Sequence, residues 1–122
     1  MIKLIQPMRR KPGMSVEAFR EYYENHHRLI GEKYLDGFAC RYLRRYLSPT
    51  RDREGHIVEP DYDVILEIWF PDMETLKASG KRLAEPDVAA EIRADEAKLF
   101  DLTSMHSYLL EEHESEMSQP GA

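Results

Sequence analysis

The sequence predicts an α+β domain whose elements run strand, helix, strand, strand, helical region, strand, around an antiparallel sheet. Three observations predict it. Short segments of apolar alternation recur at Ile2 to Met8, Ala39 to Leu47 and Tyr62 to Phe70. Between the first two, apolar residues from Val16 to about Lys33 repeat at the helical period. The best strand, Tyr62 to Phe70, carries apolar residues on both faces, so both faces call for cover. A chain of 122 residues fits one domain with a modest core. Its own helices can cover one sheet face, and a second copy of the chain is expected to cover the other.

Each element has its own signal. Ile2 to Met8 is too short for a helix and ends at Pro12-Gly13, strong punctuation. Ser15 is placed to cap the helix that follows, with Glu17 in its first turn. Val16, Phe19, Tyr23 and Ile30 share one side of that helix, and Glu24 and Arg28 form an i,i+4 pair on the exposed side. Gly31 and Gly37 loosen its end. Tyr42 and Tyr46 fall on one face of the second strand, Leu43 and Leu47 on the other. Residues 48–61 read as a polar loop, either mobile or a flap over a site. In the central strand Val64, Leu66, Ile68 and Phe70 line one face, Ile65 and Trp69 the other, with Asp63 and Glu67 between. Asp72 caps a helix that Gly80 interrupts, Pro86-Asp87 restarts helix to about Lys98, and Thr103 to Leu110 forms the last strand. Residues 114–122 are expected to be a disordered polar tail beyond a domain of residues 1–113. This order is the ferredoxin-like split βαβ arrangement.

Composition narrows the function. Net charge is −6, and the basic clusters Arg9-Arg10-Lys11 and Arg44-Arg45 are short, which argues against nucleic acid and against an anionic membrane surface. No apolar run approaches the roughly 20 residues that span a bilayer. The single cysteine, Cys40, allows no internal disulfide and no Cys-based metal site. A start at Met-Ile-Lys without a secretory pattern leads us to expect a cytoplasmic protein.

Arg10-Lys11-Pro12-Gly13-Met14-Ser15, followed by Glu17, Phe19, Tyr22-Tyr23-Glu24 and His27, resembles the opening signature of the EthD-domain family. Ile68-Trp69-Phe70, Asp95-Glu96, Phe100-Asp101 and Glu111-Glu112-His113 are similar to its second half, so the resemblance covers roughly residues 1–113. Arg28-Leu29-Ile30 stands where many members carry Pro-Leu. The resemblance implies a homodimeric α+β barrel, two sheets packed face to face, with a ligand pocket between each sheet and its own helices. It also implies ether degradation or tailoring of aromatic polyketides, by dehydration or decarboxylation among other reactions, with no metal or organic cofactor. Fold alone does not fix the reaction.

The candidate chemistry centres on the first helix. The apolar face is centred between His26 and His27, each about 50° away, so the wheel does not choose; the family pattern favours His27. A neutral imidazole serves as general acid or base near neutral pH. The competing reading is a structural histidine bonded to backbone. Tyr23, one turn earlier, can hydrogen-bond a ligand oxygen or be ordinary core, and Phe19 and His26 are candidate ligand contacts. Trp69 and Glu67 share a strand face: either they line the pocket, or Trp69 is interface core and Glu67 pairs with Arg41 or Arg45. His106, in the last strand, is a further pocket candidate, and Asp95 a family position that otherwise holds a turn. HxH, HExxH, GxSxG and glycine-rich phosphate motifs are absent.

The expectation is therefore a cofactor-free lyase or cyclase acting on an aromatic or polyketide-like molecule through His27, Tyr23 and His106, with Phe19, His26, Glu67, Trp69 and Asp95 as ligand contacts. The alternative is a non-catalytic binding or accessory protein for a hydrophobic metabolite in a degradation pathway. A haem-binding relative within the same barrel superfamily is a third reading.

Overall fold

The computed structural model describes residues 1–121. Strand β1 (Ile2–Met8) leads to helix α1 (Val16–Tyr22), a π-helical turn (Tyr23–His27) and helix α2 (Arg28–Leu35). Then come β2 (Arg41–Tyr46), a small hairpin of β3 (Thr50–Arg51) and β4 (Ile57–Val58), and β5 (Val64–Phe70). Helices α3 (Met73–Leu83) and α4 (Pro86–Glu96), a 3₁₀ turn (Leu102–Ser104) and β6 (Tyr108–Leu109) complete the chain. The main sheet has the order β2-β5-β1-β6, with every neighbouring pair antiparallel. That is the ferredoxin-like topology with β3 and β4 as an excursion between its second and third strands.

Register fixes the two sheet faces. Leu4, Gln6 and Met8 lie opposite Ile68, Leu66 and Val64, and Tyr42 and Tyr46 lie opposite Ile68 and Val64. This face meets the helices. Met8, Phe19, Tyr23, Val64, Leu99 and Phe100 form the main buried cluster there. Phe19 sits edge-to-face with Tyr23, Tyr46 and Phe100 at centroid distances of 6.1, 6.3 and 5.7 Å. Each such buried ring contributes about 1.5–3 kcal/mol by leaving water. On the opposite face Ile5, Pro7, Leu43, Ile65 and Trp69 are half-buried, with no helix of this chain above them.

The Arg10–Ser15 segment is a structural anchor. Met14 N–H donates to Lys11 carbonyl at 3.1 Å, closing a turn with Pro12 and Gly13 at its centre, and Gly13 takes φ +84. Arg10 Nη1 pairs with Asp63 Oδ1 at 2.5 Å and Arg10 Nε donates to Met14 carbonyl at 2.8 Å, tying the turn to the residue that precedes β5. Ser15 Oγ then accepts from Ala18 N–H at 3.1 Å, capping α1.

Several expectations need correction. The last strand spans only Tyr108–Leu109, because side chains claim the preceding backbone. Asp101 Oδ1 accepts from Thr103 N–H, and Ser104 Oγ accepts from Arg9 N–H while donating to Asp101 carbonyl. Gly80 does not interrupt α3. Within residues 48–61, Asp52 Oδ1 accepts from Glu54 and His56 N–H groups and nucleates the β3–β4 hairpin. The Glu24 carboxylate does not pair with Arg28, whose Nε donates instead to the Glu24 backbone carbonyl at 2.7 Å. The carboxylate reaches across to Arg44 on β2, at 2.9 and 2.8 Å, and accepts from Tyr46 Oη at 2.6 Å, while Arg28 pairs with Glu32. Residues 111–121 form no helix or strand.

Candidate functional site

A cavity of about 150 Å³ lies between the sheet and the helices. Gln6, Met8, Tyr42, Leu66 and Ile68 form its floor; Tyr23, His27, Ile30, Gly31, Tyr34 and Leu35 form one wall. Leu83, Ile92, Glu96, Phe100 and Met105 close the other side. Most of this surface is apolar, and no lysine or arginine borders it.

The first helix explains how a histidine enters it. The π-helical turn at Tyr23–His27 inserts one residue into the helical repeat, a feature frequent at functional sites. A regular helix leaves His26 and His27 equivalent. The wider turn buries His27, at 8% exposure, and leaves His26 exposed, stacked on Tyr22 at 4.8 Å.

His27 Nδ1 lies 2.7 Å from Asp95 Oδ2, and Asp95 Oδ1 accepts from Tyr22 Oη at 2.6 Å. Asp95, itself 7% exposed, stands at the end of α4 and so ties the π turn to the second helical layer. A carboxylate only accepts, so the bond requires a hydrogen on Nδ1, and in the neutral imidazole the lone pair then sits on Nε2. Among the described residues none hydrogen-bonds Nε2, and that atom is not sealed from its surroundings. Tyr23 and Phe100 hold the ring edge-on at 5.2 and 5.4 Å. Burial, with Asp95 as its hydrogen-bond partner, pushes the Tyr22 hydroxyl up to about 12, so it remains a donor.

Two tyrosines meet on the cavity wall. Tyr42 Oη donates to Tyr23 Oη across 3.5 Å. Burial holds both hydroxyls above their ordinary value, which keeps them neutral donors; Arg44 pulls the other way. Gly31 makes room for this pair: a Cβ there would lie 2.5 Å from Tyr42 Oη. Glu24, fixed by Arg44 and Tyr46, braces β2 behind Tyr42, and its bond to Arg44 lowers its carboxyl below the usual value.

The structure thus brings His27, Tyr23 and Asp95 together and separates the other expected site residues from the cavity. Phe19 is fully buried core behind Tyr23 and borders no cavity surface. His26 faces solvent. His106 is exposed in the irregular link before β6, so it is not the mid-strand residue expected, and Met105 lines the cavity instead. Trp69 and Glu67 lie on the face away from the helices. There Trp69 Nε1 donates to Glu67 Oε2 at 2.5 Å, and Lys3 and Arg41 flank the indole at 3.9 and 4.6 Å. Glu67 also pairs with Arg45 at 3.4 Å. Alternation along β5 forces this: with Leu66 and Ile68 under the helices, residues 67 and 69 must point the other way.

Tyr42, Glu96 and Gly31 are cavity residues that sequence reasoning did not single out. Glu96 was within reach, since Val88 and Ile92 continue at i+4 to Glu96. Tyr42 needed the knowledge of which face of β2 meets the helices. Among the described residues there is no cluster of three or more metal-ligating side chains and no helix long and apolar enough to cross a membrane.

Comparison with known proteins places the chain. No functionally curated protein matches the sequence. Among solved structures, an ethyl tert-butyl ether degradation (EthD) family protein from Bacillus halodurans aligns at 19% identity and TM-score 0.61, over 93% of this chain and all of that one. An EthD-like protein from Ralstonia eutropha aligns at 17% identity and TM-score 0.61, over 89% and 86%. HapK from Hahella chejuensis aligns at 14% identity and TM-score 0.56, over 98% and 100%. These identities speak to fold alone. The EthD domain model matches residues 11–103, most of the chain and all of the π turn and α4, and the protein is therefore a member of the EthD-domain family.

Proposed function

We propose that the protein is an enzyme of small-molecule metabolism that moves a proton on a compact aromatic or alicyclic substrate next to a carbonyl or phenolic oxygen. The observation that carries this reading is the His27–Asp95 pair: Nδ1 is held at 2.7 Å by a buried carboxylate, His27 lines an apolar cavity, and no described residue hydrogen-bonds its Nε2. Asp95 orients the ring, fixes its tautomer and stabilises the imidazolium that forms when Nε2 takes a proton. The Tyr42 hydroxyl, half-buried beside the fully buried Tyr23, can turn from Tyr23 Oη to a substrate oxygen and donate as negative charge develops there. Lyase or cyclase chemistry, such as dehydration, decarboxylation or ring closure, uses this equipment, and the side chains named supply it without a cofactor.

Deuterium exchange tests the proposal before the substrate is known. In D₂O the wild-type chain is expected to accelerate exchange at the carbon next to the carbonyl of cyclohexanone, followed by proton NMR. His27→Ala should remove at least about 100-fold of that acceleration. Unchanged exchange in the variant would overturn the assignment of His27.

The mostly apolar cavity lining favours a second reading, an accessory protein that holds a hydrophobic metabolite. It predicts ligand binding with no exchange. The same proposal includes a homodimer through the helix-free sheet face, where Ile5, Leu43, Ile65 and Trp69 otherwise remain half-exposed.

A further inference from the structure

A carboxyl group without a partner stands in the same cavity. Glu96 follows Asp95 in α4, and Ile92 and Glu96 present adjacent turns of that helix to the cavity. Its neighbour Asp95 is fully engaged by His27 and Tyr22. Glu96, half-buried, forms no side-chain hydrogen bond or ion pair with any described residue, and no cationic side chain borders the cavity. An ionised carboxylate held among Ile, Leu, Phe and Met without a counter-ion is costly, and the protonated form relieves the cost. The direction of its titration agrees: burial raises the Glu96 carboxyl above its ordinary value, Asp95 adds to the rise, and Arg93 opposes it. The other titratable groups at the cavity are His27, Tyr23, Tyr34 and Tyr42.

Size gives a second constraint. The cavity measures about 150 Å³. An apolar cavity of about that volume accepts a single benzene ring. A larger skeleton would extend out of that space through the open side of the cavity.

Resting on the His27 reading, we propose that Glu96 is the proton donor opposed to the His27 base, and that the cavity selects uncharged, oxygen-bearing ligands of about one ring. In an elimination, His27 Nε2 takes the proton from the carbon beside the carbonyl, and that electron pair forms the new carbon–carbon double bond. The bond from the β-carbon to its hydroxyl oxygen breaks, and Glu96 gives its proton to the departing oxygen, which leaves as water. The imidazolium then returns its proton through solvent to the Glu96 carboxylate, which restores both groups. A substrate carboxylate would enter a site lined by Glu96 and by no lysine or arginine, and its lost hydration would go unrepaid.

Benzamide and benzoate, near-isosteres that differ in charge, test this on the full-length protein. Their affinities at neutral pH are read from shifts of the Ile30, Leu66 and Met105 methyl groups. A carbon-detected titration follows the Glu96 carboxyl, its signal assigned by loss in Glu96→Gln. The proposal expects benzamide to bind at least about tenfold more tightly than benzoate, and Glu96 to titrate above the usual carboxylate range. Equal binding of the two probes would overturn charge selection while leaving the His27 base intact. A Glu96 midpoint at or below the ordinary value would overturn its role as donor. Binding of neither probe would remove the cavity as a ligand site and defeat the functional reading with it.

Discussion

Two glycines in helix interiors should respond oppositely to one substitution. At Gly80, in α3, an added Cβ meets nothing within 4 Å. Gly80→Ala is expected to stabilise the fold by up to about 1 kcal/mol, the difference in helix propensity. Gly31, in α2, would gain the same propensity but drive its Cβ to 2.5 Å from Tyr42 Oη, 2.8 Å from Cζ and 2.9 Å from Cε2. The ring tip would have to move by about 1 Å to reach ordinary contact, and overpacking of this kind costs about 1–3 kcal/mol. The net effect of Gly31→Ala is then a loss of about 0–2 kcal/mol. At this chain length that lowers Tm by roughly 3–5 °C for each kcal/mol. The movement also parts Tyr42 from Tyr23, so ligand affinity should fall with it. Urea denaturation of both variants, paired with benzamide titration, measures the two consequences. Equal stabilisation of both variants, with binding unchanged in Gly31→Ala, would refute the close approach of Tyr42 to α2.

Asp95→Asn sets an amide N–H₂ against the His27 or Tyr22 donor in a buried site and should cost about 2–4 kcal/mol in urea unfolding, whereas exposed His26→Asn should be nearly neutral. Glu24 and Glu96 have opposite pH signatures. The folded value of Glu24 is lowered, so its stabilisation is present above the ordinary carboxylate range and is lost as pH falls through the lowered value; the deficit of Glu24→Gln should shrink below about pH 4. The folded value of Glu96 is raised, so its contribution is complete at low pH and is lost as pH rises through that value; Glu96→Gln should gain on wild type as pH increases. Ile5→Glu, on the helix-free sheet face, should convert a dimer to a monomer in light scattering while leaving the fold intact; a wild-type monomer would refute the dimer proposal.

The strands and helices were legible because their periods are local. Alternation along Tyr62 to Phe70, the Ser15 and Asp72 caps and the Pro12-Gly13 turn correspond to elements that the backbone adopts. The last strand was not, because capping by Asp101 and Ser104 competes with sheet pairing and no apolar pattern reveals it. His27 was separated from His26 by family pattern alone; the physical cause is the π turn, which a fixed angle of about 100° per residue cannot represent. Trp69 and Glu67 were open between two faces because an alternating strand has two equivalent assignments until the sheet is assembled. Partnerships such as Asp95 with His27, or Glu24 with Arg44, join residues far apart in the chain and leave no local trace.

The central claim is that His27 presents an unprotonated Nε2 to the cavity while Asp95 holds Nδ1–H. Long-range nitrogen–proton NMR of the histidine rings in the full-length protein, near neutral pH, tests it directly, with the His27 signals assigned by their loss in His27→Ala. The account predicts a proton on Nδ1 and a bare Nε2. A ring carrying its proton on Nε2, with Nδ1 bare, would contradict it and leave the cavity without its base.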